Sequence, residues 1–369
     1  MSLGCKSLRL LCSDICNLVS EYCDYTSCRG VETRQVPIDA NMSFWKISVS
    51  RDSIFLTPDL YDETMSAYPD DGFIVRYSNY LKFAHGQNDD HIKLERLIEE
   101  NTYHFRPSAK CCVSGDYLFA MDTRQGSIAM FSSQDNYSRI IWFINIWKSN
   151  FSQPMAFAVF TTLTHQSGCF PATNVYKIAV AYTCGEVCIF HISIPIIVAI
   201  PSKPSHHHQS VPSKPSHHHQ SVPSKPSQLD AICISKFKIP LDFMNPLQLF
   251  THHSTLFVYF FKDFDYHLWS FEINGKSPVQ TDFDISLGDG VSTSLIEISK
   301  LGFIYIAGYL QKTTPQTSRS KLGIFVYSLN GSHLRTIDSH ICIGQLIDFS
   351  MDDQGRLVLL ERDHFRILE

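Results

Sequence analysis

Short apolar runs separated by turn residues follow one another along this chain from about Asn41 to its end. Gly323 to Leu329 is one such run. Asn330-Gly331 follows, a dipeptide that tolerates the positive φ of a tight hairpin. His333 to Ile337 and Gln345 to Ser350 come next, then an Asp352-Asp353-Gln354-Gly355 turn, then Arg356 to Leu360 and Phe365 to Leu368. The same grammar governs Lys110 to Ser132. There Cys111-Cys112-Val113, a Ser114-Gly115-Asp116 turn, Tyr117 to Met121 and Ser127 to Phe131 succeed one another. Val175 to Ile192, Leu256 to Ile273 and Phe303 to Leu329 repeat it, and Trp45 to Val49, Ser53 to Leu56 and Gly72 to Tyr77 begin it. Runs of this length bounded by turn residues predict antiparallel strands. Helix-compatible segments between them are scarce, so a parallel α/β fold is not expected.

The N-terminus departs from this pattern. Leu8, Leu11, Ile15, Leu18 and Tyr22 are spaced three and four apart, the seam of an amphipathic helix. Cys5, Cys12, Cys16 and Cys23 run beside that seam and are read as small apolar residues widening the buried face. The seam covers only about two heptads, too few to dimerise alone. Residues 1–40 are therefore expected to be a short helix and linker, with the seam docking on the body of the protein or in a partner's groove.

Residues 201–228 form a second departure. Pro201 to Val211 is an 11-residue unit repeated identically at Pro212 to Val222, and Pro223 to Gln228 begins a third copy. Regularly placed proline removes amide donors and favours extended, solvated backbone. This Pro/Ser/His-rich stretch is expected to be a disordered insert within the folded body. His206 to His208 and His217 to His219 are read as part of that expansion, without a metal assigned to them.

Composition narrows the function. The chain has 369 residues, 44% of them hydrophobic and 18% charged, enough to fill a large core. Its formal net charge is −5, so direct nucleic-acid binding as the main task is disfavoured. No apolar run approaches the roughly 18 residues of a membrane span. The first residues do not read as a signal peptide. The 12 cysteines in so long a chain are read as reduced thiols, which points to a cytoplasmic or nuclear protein that is not secreted. No phosphate loop, dinucleotide fingerprint, zinc-protease motif or nucleophile elbow occurs, and no cofactor is expected. The polar groups worth inspecting are His252 and His253 with Asp263, Asp265 and His267, and, as acids that could line a channel mouth, Asp282, Asp284 and Asp289.

The units at Tyr117 to Phe131, Lys177 to Ile192, Phe303 to Leu329 and Leu346 to Leu368 resemble the β-propeller superfamily in a degenerate, WD40-like form. The resemblance implies an all-β propeller of six or seven blades over residues 41–369, closed between the strand near Trp45 and Phe365 to Leu368. A β-sandwich with long loops is the structural alternative. The implied function is a non-catalytic scaffold for protein–protein interactions within a multiprotein complex, of open oligomeric state. Two alternatives stand beside it. One is a lactonase-like or glycan-directed propeller hydrolase using Asp265, His267, Asp282 and Asp284. The other is a non-catalytic subunit of an RNA-modifying enzyme, favoured if Lys300, Lys312, Arg319, Lys321 and Arg335 cluster.

Overall fold

The computed structural model describes residues 32–38, 44–50, 53–58, 74–78, 93–97, 109–147, 152–160, 173–195, 227–239, 246–262, 265–273, 279–281, 291–310, 321–338, 346–352, 355–361 and 364–368. Within them lie six antiparallel sheets, each built around four strands. In chain order, blade 1 holds β2 (Phe44–Ser50), β3 (Ser53–Pro58), β4 (Ile74–Ser78) and β5 (Lys93–Leu97). Blade 2 holds β6 (Cys112–Ser114), β7 (Tyr117–Asp122), β8 (Ser127–Ser132) and β9 (Ile140–Asn145). Blade 3 holds β10 (Pro154–Phe160), β11 (Thr173–Tyr182), β12 (Glu186–Pro195) and β14 (Ile232–Lys238). Between the last two comes β13 (Ser227–Leu229), which pairs in parallel with β9 as a fifth strand of blade 2.

Blade 4 holds β15 (Pro246–His252), β16 (Thr255–Lys262), β17 (Asp265–Glu272) and β18 (Val279–Thr281). Blade 5 holds β19 (Val291–Ile298), β20 (Phe303–Leu310), β21 (Lys321–Ser328) and β22 (His333–Asp338). Blade 6 holds β23 (Asp348–Met351), β24 (Leu357–Leu360) and β25 (His364–Leu368), and its outer strand is β1 (Glu32–Pro37) from the other end of the chain.

The first strands β2, β6, β10, β15, β19 and β23 neighbour one another in cyclic order around an axis. Six apolar clusters fill the spaces between consecutive blades, and the last of them joins blade 6 to blade 1. The ring is thus closed, and the architecture is a β-propeller. The sandwich alternative is excluded, because no pair of sheets encloses a single core.

Blade stacking explains why the strands read as continuous apolar runs. Each middle strand is covered on both faces, so both sets of alternating side chains are buried. In β7, Leu118 and Ala120 pack toward blade 1, while Phe119 and Met121 pack toward blade 3, all fully buried. Polar bonds then pin neighbours. Arg76 on β4 donates from Nε to Ser53 Oγ (3.0 Å) and from a guanidinium NH to the Asn136 carbonyl of blade 2 (3.0 Å). Its guanidinium also lies over the Tyr137 ring, 5.1 Å from the centroid. Tyr182 donates its hydroxyl to the Ile146 carbonyl at 2.7 Å, joining blades 3 and 2.

Ring closure differs from the sequence expectation. The strand that pairs with Phe365 to Leu368 is β1, whereas Trp45 lies on β2, the inner strand of the next blade. The propeller therefore takes in part of the 1–40 stretch expected to be helix and linker. The Asn330-Gly331 turn is also looser than the expected two-residue hairpin. Gly331 N–H donates to the Ser328 carbonyl at 3.0 Å, and only Gly331 of the pair has positive φ (85°). This makes a four-residue loop with a bulge between Val326 and Tyr327. The helical seam Leu8, Leu11, Ile15, Leu18 and Tyr22 lies outside the described residues, as do the histidine runs at 206–208 and 217–219.

Candidate functional site

A cavity of about 820 Å³ occupies the propeller axis. Every inner strand, or the residues beside it, contributes to its wall, including Lys46, Cys112, Phe157, Gln248, Glu297 and Ser350. A cavity of this size is large enough to hold a small ligand. What it can do depends on its polar groups.

Lys110, just before β6, extends its ammonium away from its own blade. Nζ donates to Glu297 Oε2 of blade 5 at 2.7 Å and to the Phe349 carbonyl of blade 6 at 2.9 Å. Asp348 Oδ2 lies 3.7 Å from the same nitrogen. Asp348 Oδ2 in turn accepts from the Ile47 N–H of blade 1 at 2.9 Å, and Ser350 Oγ reaches Glu297 Oε1 at 3.5 Å. One ammonium and two carboxylates thus tie blades 1, 2, 5 and 6 across the ring. Asp348 is fully buried, with Oδ1 lacking a hydrogen-bond partner, while Lys110 and Glu297 keep only a sliver of exposure.

The electrostatics follow from this wiring. Burial disfavours the Lys110 ammonium, but Asp348 and Glu297 outweigh it, and its pKa is raised. Lys110 is therefore charged at neutral pH and is no amine nucleophile. Burial pushes the Glu297 carboxyl above its usual range despite the opposing attraction of Lys110. Burial drives the Cys111 thiol up to about 12, and burial with the neighbouring Cys111 does the same to Cys112. Both thiols are spent locally: Cys111 Sγ lies 3.6 Å from Thr57 Oγ1, and Cys112 Sγ donates to the Phe157 carbonyl at 3.8 Å. Thiols held in this state are poor nucleophiles and poor metal ligands. Among the described residues, no group of three or more His, Cys, Asp or Glu is placed to hold a metal ion.

The residues singled out in the sequence lie elsewhere. Asp265 and His267 are on β17, the third strand of blade 4, whereas the cavity is walled by inner strands. His267 stacks on Phe260 (centroids 5.4 Å apart) between strands of its own sheet. His253 sits in the turn before Thr255, which pairs with Glu272, while Asp265 pairs with Lys262. His253 and Asp265 are therefore at opposite ends of β16 and form no site. Asp263, Asp282, Asp284 and Asp289 lie outside the described residues. Lys300 follows β19, whereas Lys321 pairs with Leu310 at the far end of β20, so these two cations do not cluster. Lys312 and Arg319 lie outside the described residues.

The channel cluster carries a sequence signal that composition hides. Lys46, Glu297 and Asp348 each stand alone as a charge within an apolar run, and each run is the first strand of its unit.

With this geometry in hand, comparison with known proteins adds three likenesses. No protein-family model matches the chain. No curated protein matches it either. Among solved structures it is similar to the WD40 domain of SCAP from fission yeast, at 9% identity, covering 91% of this chain and 97% of that one, with a TM-score of 0.36. It is similar to a putative TolB from Agrobacterium tumefaciens at 10% identity, covering 89% and 90%, with a TM-score of 0.41. It is also similar to the calcium-binding protein regucalcin from the same organism at 9% identity, covering 91% and 93%, with a TM-score of 0.45. The propeller assignment stands on the closed ring described above.

Proposed function

We propose that this chain is a non-catalytic β-propeller platform that holds other proteins together in a multiprotein complex. One observation carries this reading: Lys110, Glu297 and Asp348 at the axis are engaged in bonding blade to blade. Lys110 has its donors on Glu297, Phe349 and, more distantly, Asp348, so its charge is matched by the protein itself. A rigid ring built this way presents loops and blade edges to partners. The test is recovery of the tagged full-length chain from its native cells. Stoichiometric partner proteins are the expected result; a chain that returns alone and monomeric would overturn the reading.

A second reading is favoured by one feature. Glu297 is an acid with a raised pKa lining the axial cavity, a combination found at hydrolytic sites. In that reading Glu297 would act as the proton-transferring group of a propeller hydrolase. Hydrolysis of a lactone or ester panel by the wild-type chain, lost in Glu297→Gln, would support it. Equal rates in the two proteins would remove it.

A further inference from the structure

We infer that the free edge of β14 docks an extended, acidic segment of a partner protein by strand addition. β14 is the outermost strand of blade 3, and no described strand pairs with its far side. An unpaired edge presents a row of backbone donors and acceptors to any chain that can lie alongside. The rim of this propeller already accepts such a strand, because β13 lies in parallel register on β9 of blade 2, with Ser227 opposite Trp142 and Leu229 opposite Ile144.

The side chains on β14 specify the visitor. Ile232 and Ile234 are 66% and 44% exposed, two of the few large apolar side chains the surface leaves in water. Lys236 and Lys238 are exposed two and four residues further on, while Phe237 turns inward against Phe271, with ring centroids 4.5 Å apart. The edge therefore offers apolar contact at one end and positive charge at the other, with a bulge between Cys233 and Ser235 that turns Ile232 and the two lysines to opposite faces; Glu186 stands opposite Lys238, and Lys236 has no acid opposite it. A segment with an apolar stretch followed by aspartate or glutamate complements both halves.

Two other occupants fit less well. The 201–226 insert contains no Asp or Glu, carries lysine and histidine, and has proline throughout, so it matches neither the charge nor the donor row. A second copy paired edge to edge would set lysines against lysines or isoleucines. The proposal rests on the platform reading and names the surface through which it operates.

Random peptides about ten residues long, near the upper length of an ordinary strand, are selected for binding to the full-length chain and to Lys236→Glu/Lys238→Glu. On the wild type, the enriched peptides carry apolar residues at one end and Asp or Glu at the other. On the reversed variant, the preference turns to Lys or Arg, and an enriched acidic peptide loses about tenfold in affinity. Ile232→Lys/Ile234→Lys, at exposed positions that leave the fold intact, abolishes binding. The proposal is overturned if the same peptides emerge on both proteins. It is equally overturned if deleting residues 201–224 raises peptide affinity, which would make the insert the occupant, or if the copies associate through this edge. Failure here alongside stoichiometric partners from native cells would remove the edge and leave the platform standing.

Discussion

Replacing Lys110 by methionine tests the cross-channel wiring most sharply. The substitution keeps the length and apolar character of the stem and removes only the charge. Glu297 would lose its 2.7 Å partner, and Asp348, fully buried, would lose its nearest cation. Removing one member of a buried ion pair leaves the other desolvated and uncompensated, at a cost of about 3 to 5 kcal/mol. The residual exposure of Lys110 and Glu297 places this case near the lower end, at about 3 kcal/mol. For a chain of this size that corresponds to a melting temperature lower by about 5 °C.

The pH dependence gives the loss a signature. Glu297 has a folded-state pKa above its ordinary value of 4.5, so its contribution to stability is present below that value and is lost as pH rises through the folded pKa. Without Lys110 that pKa climbs further, because the attraction opposing burial is gone. The deficit of Lys110→Met should therefore be full at pH 7 and shrink as pH falls toward 4.5. In the wild type, the Lys110 ammonium has a pKa raised above 10.5, so its stabilisation is complete below that value and fails only as pH climbs through the folded pKa. Adding Glu297→Gln to Lys110→Met should recover about half the loss, since only Asp348 then remains uncompensated. Thermal melts of the three proteins at pH 4.5 and pH 7 decide this. A single variant that melts with the wild type at pH 7, or a deficit independent of pH, would refute the reasoning.

Three further outcomes follow from the same geometry. Deleting the last ten residues removes β25, the strand that receives β1, together with the buried Arg366–Glu361 ion pair, so the cooperative thermal transition should be lost. An unchanged melt would place ring closure elsewhere. Peptide mapping after brief alkylation at pH 8 should find Cys184 and Cys233 modified, both being exposed, while Cys111 and Cys112, with pKa pushed up to about 12, stay protected until the protein unfolds. Rapid labelling of Cys112 in the native protein would contradict the thiol burial described here. Gly302 holds φ of +82°, and a Cβ there would come within 2.9 Å of Leu329 Cδ1, so Gly302→Ala should destabilise by about 1 to 2 kcal/mol in chemical denaturation.

Much of the fold was legible in the chain, for a physical reason. The strands β6 to β8 are separated by turns at Gly115 and Gly126, and β19 from β20 by a turn at Gly302, and their residues are covered on both faces by neighbouring blades, so apolar runs and punctuation coincide with the elements. Closure was not legible. β1 reads Glu-Thr-Arg-Gln-Val-Pro, a rim strand with little apolar content, and its partner β25 lies at the other end of the chain. Local pattern carries no information about such a pairing.

The candidate site was harder still. Lys110, Glu297 and Asp348 are far apart in sequence and meet only because the inner strands converge on one axis. A lone charge in a strand reads equally well as a solvent-facing residue until the ring is assembled. Asp265 and His267 drew notice because they are close in sequence, yet the third-strand position of β17 takes them away from the axis.

The central claim is that this propeller works by holding partners, and the most direct measurement is sedimentation of the untagged protein in gently cleared lysate from its own cells. The platform account expects the chain to migrate well above the mass of a single copy and to shift to monomer in high salt, together with its partners' release. A native protein that sediments as a lone monomer across salt and concentration would contradict the account.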